Sequence, residues 1–158
     1  RLQARHGWPR AHSGHGMLPG EGAQAFVLET RSAAEARGAR ICGILRGLTS
    51  LSSPEAPDRR AWALDEAVRA VSPGRPGAWI GGANGHRILD DVEAPLVAAH
   101  PDWPAPRFPK ELWGEFCGSG GQLLAAALLE PASPVLVTAP ASRGPQYAAL
   151  LEKPADSD

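Results

Sequence analysis

Residues 20–29 read GEGAQAFVLE, a closely spaced glycine pair followed directly by a run of apolar residues. Glycine adopts the backbone conformations that tight turns require, and a short apolar run bounded by turn signals is typical of a buried strand. The polar residues TRS at 30–32 end the run. The stretch therefore predicts a turn that leads into a strand at residues 25–29.

Outward from this stretch, apolar periodicity and turn signals predict a series of strands and helices. Prolines interrupt the pattern at 48–58 and at 101–109, so these two segments are expected to be loops. Strands that alternate with helices indicate a layered α/β architecture. The predicted strands are 25–29, 39–47, 78–81, 135–138 and 147–151, and the predicted helices are 32–37, 58–71, 90–99 and 116–129.

The composition is that of one globular domain without a strongly charged face. A chain of 158 residues with 43% hydrophobic residues is long enough to bury a core. Its net charge of −1 provides no basic face for nucleic acid or for an anionic membrane surface. No apolar run reaches the roughly 18 residues of a membrane span. We therefore expect no nucleic-acid partner and no membrane partner.

The cysteines and histidines carry no signature of a disulfide framework or of a metal site. Cys42 and Cys117 are too few for a framework, and both are expected to be buried thiols of a cytoplasmic protein. His6, His12 and His15 lie among glycines and prolines in a predicted N-terminal loop, without regular ligand spacing. We expect neither a metal nor a cofactor. The chain begins without a methionine or a signal-peptide pattern, which suggests a fragment or a processed product.

Four motifs are spread along the chain, and the first of them includes the opening turn. They are HGMLPGEGA at 15–23, RGARI at 37–41, DDVEA at 90–94, and a glycine-rich segment at 110–121 that opens an Ala/Leu-rich helix. In this order they resemble motifs of the β-ketoacyl synthases, the condensing enzymes of fatty-acid and polyketide synthesis. The resemblance covers about residues 15–152. It implies the C-terminal half of a thiolase-like layered α/β fold, with a mixed sheet and a buried Gly/Ala-rich helix.

The resemblance also implies how the chain is divided. Residues 1–24 correspond to an N-terminal loop and the end of the hinge between the two halves of the family's fold. Residues 25–153 correspond to the ketosynthase-like C-terminal domain, and residues 154–158 form a polar tail. The family's N-terminal half packs face to face with this domain. A chain without that half is expected to expose an apolar helix face around 118–129 and to need a partner.

Members of the resembled family catalyse decarboxylative condensation. A cysteine of the N-terminal half takes the acyl chain from an acyl carrier protein, and the resemblance assigns this cysteine to a half that the chain does not contain. Two histidines polarise the thioester carbonyl and stabilise the enolate that forms as carbon dioxide leaves. A lysine and a glutamate organise the pocket.

The position of the family's first histidine holds another residue in this chain. Counting back from Asp90 places that histidine at Gly82, whereas the predicted strand at 78–81 as an anchor places it at Ala83. Neither side chain donates a hydrogen bond. His86 is the candidate substitute if the loop is rearranged; the other interpretation is a partly exposed loop residue.

The position of the second histidine is also changed. Counting from Lys110 and Gly114 places it at Glu115, whose carboxylate repels an enolate instead of stabilising it. Lys110 retains the family's lysine, and it either pairs with Glu115 in the pocket or lies beside it in solvent. The sequence therefore assigns no catalytic residue.

These departures favour a catalytically inactive ketosynthase-like subunit of fatty-acid or polyketide biosynthesis, similar to a chain length factor. Its expected partners are an active ketosynthase subunit or the missing N-terminal half, together with an acyl carrier protein. Two alternatives stay open. One is a divergent but active β-ketoacyl-ACP synthase whose nucleophile lies on another chain and whose base is His86. The other is a small α/β interaction domain without acyl chemistry.

Overall fold

The computed structural model describes residues 16–52, 57–72, 74–142 and 144–154. The predicted N-terminal loop up to residue 15 and the last four residues of the predicted tail lie outside these ranges. The elements, in chain order, are α1 (Arg31–Ala36), β1 (Ile44–Ser52), α2 (Pro57–Val71), β2 (Ala78–Ile80), α3 (Arg87–Ala99), α4 (Lys110–Trp113), α5 (Ser119–Leu129), β3 (Val135–Ala139) and β4 (Pro145–Glu152).

The strands form one mixed sheet in the order β1-β4-β3-β2. β4 is antiparallel to both of its neighbours, β1 and β3, whereas β2 runs parallel to β3. β2 and β3 lie where the sequence predicts short apolar strands. The mixed sheet that the resemblance implies is therefore confirmed.

Alternating side chains of the strands face two separate apolar cores. Trp79 and Leu136 pack on the side that carries α2 and α3. Their neighbours Ile80 and Val137 point to the opposite side and pack against α5. Helices thus cover both faces of the sheet, which confirms the predicted layered α/β architecture.

The Gly/Ala-rich helix α5 is buried on one side. Leu123 and Ala127 are 0% and 2% exposed, whereas Leu129 at the helix end is 82% exposed. α5 begins later than predicted because Gly118 has a left-handed conformation, with φ 94°, and caps the helix. Beside α5 lies an open groove, called here the α5 groove. It is lined by Leu48, Gly120, Leu124, Val137, Ala139, Tyr147, Ala148 and Ala149.

The predicted strand at residues 25–29 is wrong. This segment forms no strand and is exposed, with Val27 80% and Leu28 79% accessible. A strand is stable only when its backbone groups pair with a neighbour. Among the described residues, the sheet ends at β1 and β2 and includes no partner for this segment. Its apolar composition is therefore not matched by burial.

The second predicted strand is displaced along the chain. β1 begins at Ile44 and continues to Ser52, through residues expected to form a loop. Its last four residues, of which only Leu51 is apolar, pair with residues 145–148 of β4. The antiparallel ladder thus extends the strand where local composition does not favour one. Residues 53–56 of the predicted loop lie outside the described ranges.

The remaining helix predictions are close to the structure. α1 and α2 begin within one residue of their predicted starts, and α3 begins three residues earlier than predicted.

The expectation for the cysteines is wrong, since Cys42 and Cys117 are both exposed in this chain. Each lies in a connection just before an element, outside the faces that the cores bury. Within the described residues, no helix has the length and apolar character needed to cross a membrane.

Candidate functional site

Lys110, the first residue of α4, forms an ion pair with Glu115, which lies in the connection between α4 and α5. Lys110 Nζ lies 2.7 Å from Glu115 Oε2, and the side chain of Lys110 is only 5% exposed. Of the two interpretations that the sequence leaves open, the structure thus has the paired one. The pair occupies the position at which the resemblance places the second histidine.

Two more donors converge on the same carboxylate. Asn84 Nδ2 donates to Glu115 Oε2 over 2.7 Å, and the hydroxyl of Ser119 donates to Oε1. Partial burial raises the pKa of Glu115. The hydrogen bonds from Lys110, Ser119 and Asn84 and the charge of Lys110 outweigh this effect, and they hold that pKa below its ordinary value. Glu115 is therefore an ionised acceptor at neutral pH.

Glu93 is a second, fully buried carboxylate in the same region. Its Oε1 accepts from the backbone N–H of Gly82 over 3.2 Å, and its Oε2 accepts from that of Ala83 over 2.7 Å. The hydroxyl of Thr138 donates to Oε1. Burial raises the pKa of Glu93 to about 7, although these hydrogen bonds and the charge of Lys110 act in the opposite direction.

The two candidate positions for the first histidine thus contribute backbone amides, and both amides bind Glu93. Gly82 also has no room for a side chain. A Cβ at this position would lie 2.7 Å from Pro140 Cδ and 2.8 Å from the carbonyl oxygen of Thr138. The sheet therefore closes tightly around position 82.

Sequence reasoning did not select Glu93 as a site residue, although a signal for it exists. Leu89, Val92 and Leu96 form the buried side of α3, and Glu93 lies between them on the same side. An acidic residue within an apolar helix face is rarely buried unless it has hydrogen-bonding partners. That pattern points to a buried, hydrogen-bonded carboxylate.

His86 caps the start of α3. Its Nδ1 accepts from the backbone N–H of Ile88 over 3.3 Å, and its own backbone N–H donates to Asn84 Oδ1 over 2.9 Å. The cap explains why α3 begins earlier than predicted. His86 therefore has a structural interaction at one ring nitrogen, and a catalytic function for it stays a prediction.

The glycine-rich turn at residues 20–23 lies against the candidate site. The backbone N–H of Glu115 donates to Leu18 O over 2.7 Å, and Gly20 N–H donates to Glu115 O over 3.0 Å. A Cβ at Gly20 would collide with the carbonyl oxygen of Trp113. Glycine is required here because the two backbone segments approach so closely. The turn thus fixes the backbone from which the Glu115 carboxylate extends.

Replacing Gly20 by alanine is expected to separate this turn from residues 113–115 and to lower the free energy of unfolding by about 1–3 kcal/mol. Urea denaturation followed by circular dichroism measures the change. Gly74→Ala is the matched control, since a Cβ at Gly74 meets no atom within 4 Å. Equal stabilities of the two variants would contradict the proposed contact.

No family model and no curated protein matches the chain. Solved structures do match. The ishigamide ketosynthase/chain length factor aligns with 98% of the chain at 20% identity and a TM-score of 0.74. The oxazolomycin ketosynthase domain from Streptomyces albus aligns with 99% of it at 18% identity and a TM-score of 0.67.

A third match is a type II polyketide synthase complex of an acyl-carrier protein with its ketosynthase. It aligns with 80% of the chain at 15% identity and a TM-score of 0.63. The chain spans 39%, 37% and 50% of the length of the oxazolomycin, type II and ishigamide chains, respectively. Similarity at this level of identity defines architecture alone, and by that measure the chain has the thiolase-like α/β fold of ketosynthases and of a ketosynthase/chain length factor.

Proposed function

We propose that the chain is a catalytically inactive ketosynthase-like subunit of polyketide or fatty-acid biosynthesis. In this proposal it pairs with an active ketosynthase, or with a separate N-terminal half, and shapes the acyl site. The observation that carries the proposal is the ionised Glu115, which pairs with Lys110 at the position where the resemblance places a catalytic histidine.

The chemistry of condensation supports inactivity. Decarboxylation of a malonyl thioester places negative charge on the thioester oxygen, and that charge is stabilised by N–H donors aimed at it. An ionised carboxylate is an acceptor only and repels the developing charge. Its pairing with Lys110 also compensates the buried positive charge nearby. This corner of the pocket is therefore unsuited to stabilising an enolate.

The first histidine position gives the same support. Gly82 and Ala83 have no side-chain donor, and their backbone amides already bind Glu93. A donor bound to an internal carboxylate is not available to a substrate oxygen.

We expect the purified chain to show no decarboxylation of a malonyl-loaded acyl carrier protein.

The α5 groove supports a protein partner. It is apolar and open, and Leu48 on its wall is 60% exposed. Exposed apolar surface of this kind marks interaction sites in many proteins. The similar structures include a ketosynthase/chain length factor and a ketosynthase with its acyl-carrier protein, which suggests the kinds of partner.

Both cysteines are free, which suits the reducing cytoplasm that we propose as the compartment of this chain.

Capture of the tagged chain from its native host tests the pairing. We expect it to recover a ketosynthase with the family's cysteine, and the purified complex to condense acyl and malonyl units. Leu48→Glu places a charge in the α5 groove and should reduce the recovered ketosynthase about tenfold. Leu112→Glu is the matched control, since Leu112 is 82% exposed and does not line the groove.

Two outcomes would contradict the proposal, and a third would contradict the assignment of the α5 groove as the interface. Recovery without a ketosynthase would favour a small interaction domain. An equal loss of recovered ketosynthase with Leu48→Glu and Leu112→Glu would show that the α5 groove is not part of the interface. Condensation that is lost on His86→Ala, while the complex stays intact, would instead favour an active synthase with His86 as its base.

A further inference from the structure

We propose that Lys110, Asn84 and Ser119 form a carboxylate-binding site, and that Glu115 occupies this site as an internal ligand. The inference does not depend on the proposed pairing with a ketosynthase. It concerns the class of molecule that the pocket recognises and the reason why the natural chain does not take up such a molecule.

The three donors match one carboxylate. Lys110 Nζ and Asn84 Nδ2 each lie 2.7 Å from Glu115 Oε2, and the Ser119 hydroxyl binds Oε1. Both oxygens are thus bound, one of them by a cation and an amide. The donors are nearly inaccessible, with exposures of 5%, 1% and 5% for Lys110, Asn84 and Ser119. Buried donors aimed at one point are typical of a built binding site.

The side chain of Asn84, and the backbone that carries Ser119 and Lys110, are held in place by contacts other than those with Glu115. Asn84 Oδ1 accepts from the backbone N–H of His86, and the backbone N–H of Ser119 donates to Phe116 O. Lys110 begins α4, and its carbonyl accepts from Gly114 N–H. Removal of the Glu115 side chain should therefore leave the donors arranged around an empty space. A site with prearranged donors binds its ligand without a large ordering cost.

The donors come from three parts of the fold: the loop after β2, α4 and α5. Glu115 is connected to them by a backbone that Leu18 and Gly20 hold from the other side. An external acid must displace this tethered carboxylate, whose effective concentration in the site is high. The natural chain is thus closed to small carboxylic acids, and the carboxylate of a larger acid faces the same competition.

Glu115→Ala empties the site, and acetate is the probe. In about 100 mM sodium acetate at about pH 7, we expect the thermal midpoint of this variant to lie about 3–5 °C above its value in equal sodium chloride. The wild type should shift by less than about 1 °C, since its own carboxylate fills the site. Glu115→Gln is the matched control: it removes the charge but fills the space, and its midpoint should not respond to acetate.

The result is decisive even if Glu115→Ala is unfolded in chloride, because recovery of its circular dichroism spectrum in acetate would then be the expected result. Failure of acetate either to raise the midpoint or to restore the fold would overturn the proposal. The proposal would also be overturned if acetate raised the thermal midpoints of the wild type and of Glu115→Gln as much as that of Glu115→Ala, because the salt would then have a general effect. Adding Lys110→Met to Glu115→Ala should abolish the response, since the cation is lost.

Discussion

Replacing Lys110 by methionine is expected to lower the free energy of unfolding by about 3 kcal/mol. The side chain of Lys110 is only 5% exposed, and its ammonium nitrogen lies 2.7 Å from Glu115 Oε2. Its loss leaves a partly buried carboxylate without its cation. Methionine retains the apolar stem, so the substitution tests the charge rather than the packing.

Urea denaturation of the full chain measures this loss, and the chain offers a matched control. Lys110 and Lys153 are its two lysines, and Lys153 is exposed. Lys153→Met should change the stability by less than about 0.5 kcal/mol. The double variant Lys110→Met with Glu115→Gln should recover part of the loss, because neither partner is then charged and the introduced amide oxygen still accepts from Asn84. Similar stabilities for Lys110→Met and Lys153→Met would show that the pair does not stabilise the fold.

Stability is expected to fall as the pH rises from about 5 to about 8, by about 3 kcal/mol in total, and Glu93 is the cause. Burial raises the pKa of this carboxyl from 4.5 to about 7, so the folded state binds its proton more tightly than the unfolded state does. The stabilisation is fully present below the unfolded pKa and is lost as the pH rises through the folded pKa. At higher pH the fold must hold a buried anion.

Glu93→Gln stays neutral throughout this range and should remove the slope. Urea denaturation at a series of pH values gives both profiles, and the contributions of all groups other than Glu93 cancel in their difference. Glu115 does not interfere, because its pKa is lowered and its contribution is lost only as the pH falls through that lowered value. Parallel profiles for the wild type and Glu93→Gln would contradict the expectation.

The layered architecture is predictable because two of its buried strands are marked by their own composition. The runs at 78–81 and 135–138 are apolar, short and bounded by turn signals, and they form β2 and the inner strand β3, which pair with each other. The run at 25–29 has the same local character but lies exposed. A sequence window records how apolar a segment is, whereas the existence of a pairing partner is a property of the whole fold.

The candidate site is predictable only where its contacts are local. Lys110 and Glu115 are five residues apart, so the sequence suggests the pair. Asn84 is 31 residues from Glu115, and Thr138 is 45 residues from Glu93. These contacts depend on how β2, β3 and α3 are placed against one another. The sequence therefore reveals the ion pair as one of two alternatives and does not reveal the network around it.

The close packing around Gly82 has a consequence for evolution. A histidine at position 82 would need its Cβ where Pro140 and the backbone of Thr138 now lie. A single substitution therefore cannot place an imidazole at position 82 unless the end of β3 moves away. Because the backbone has closed on a glycine, an imidazole at this position requires several coordinated changes. Selection for a new hydrogen-bond donor would sooner recruit a group elsewhere in the fold.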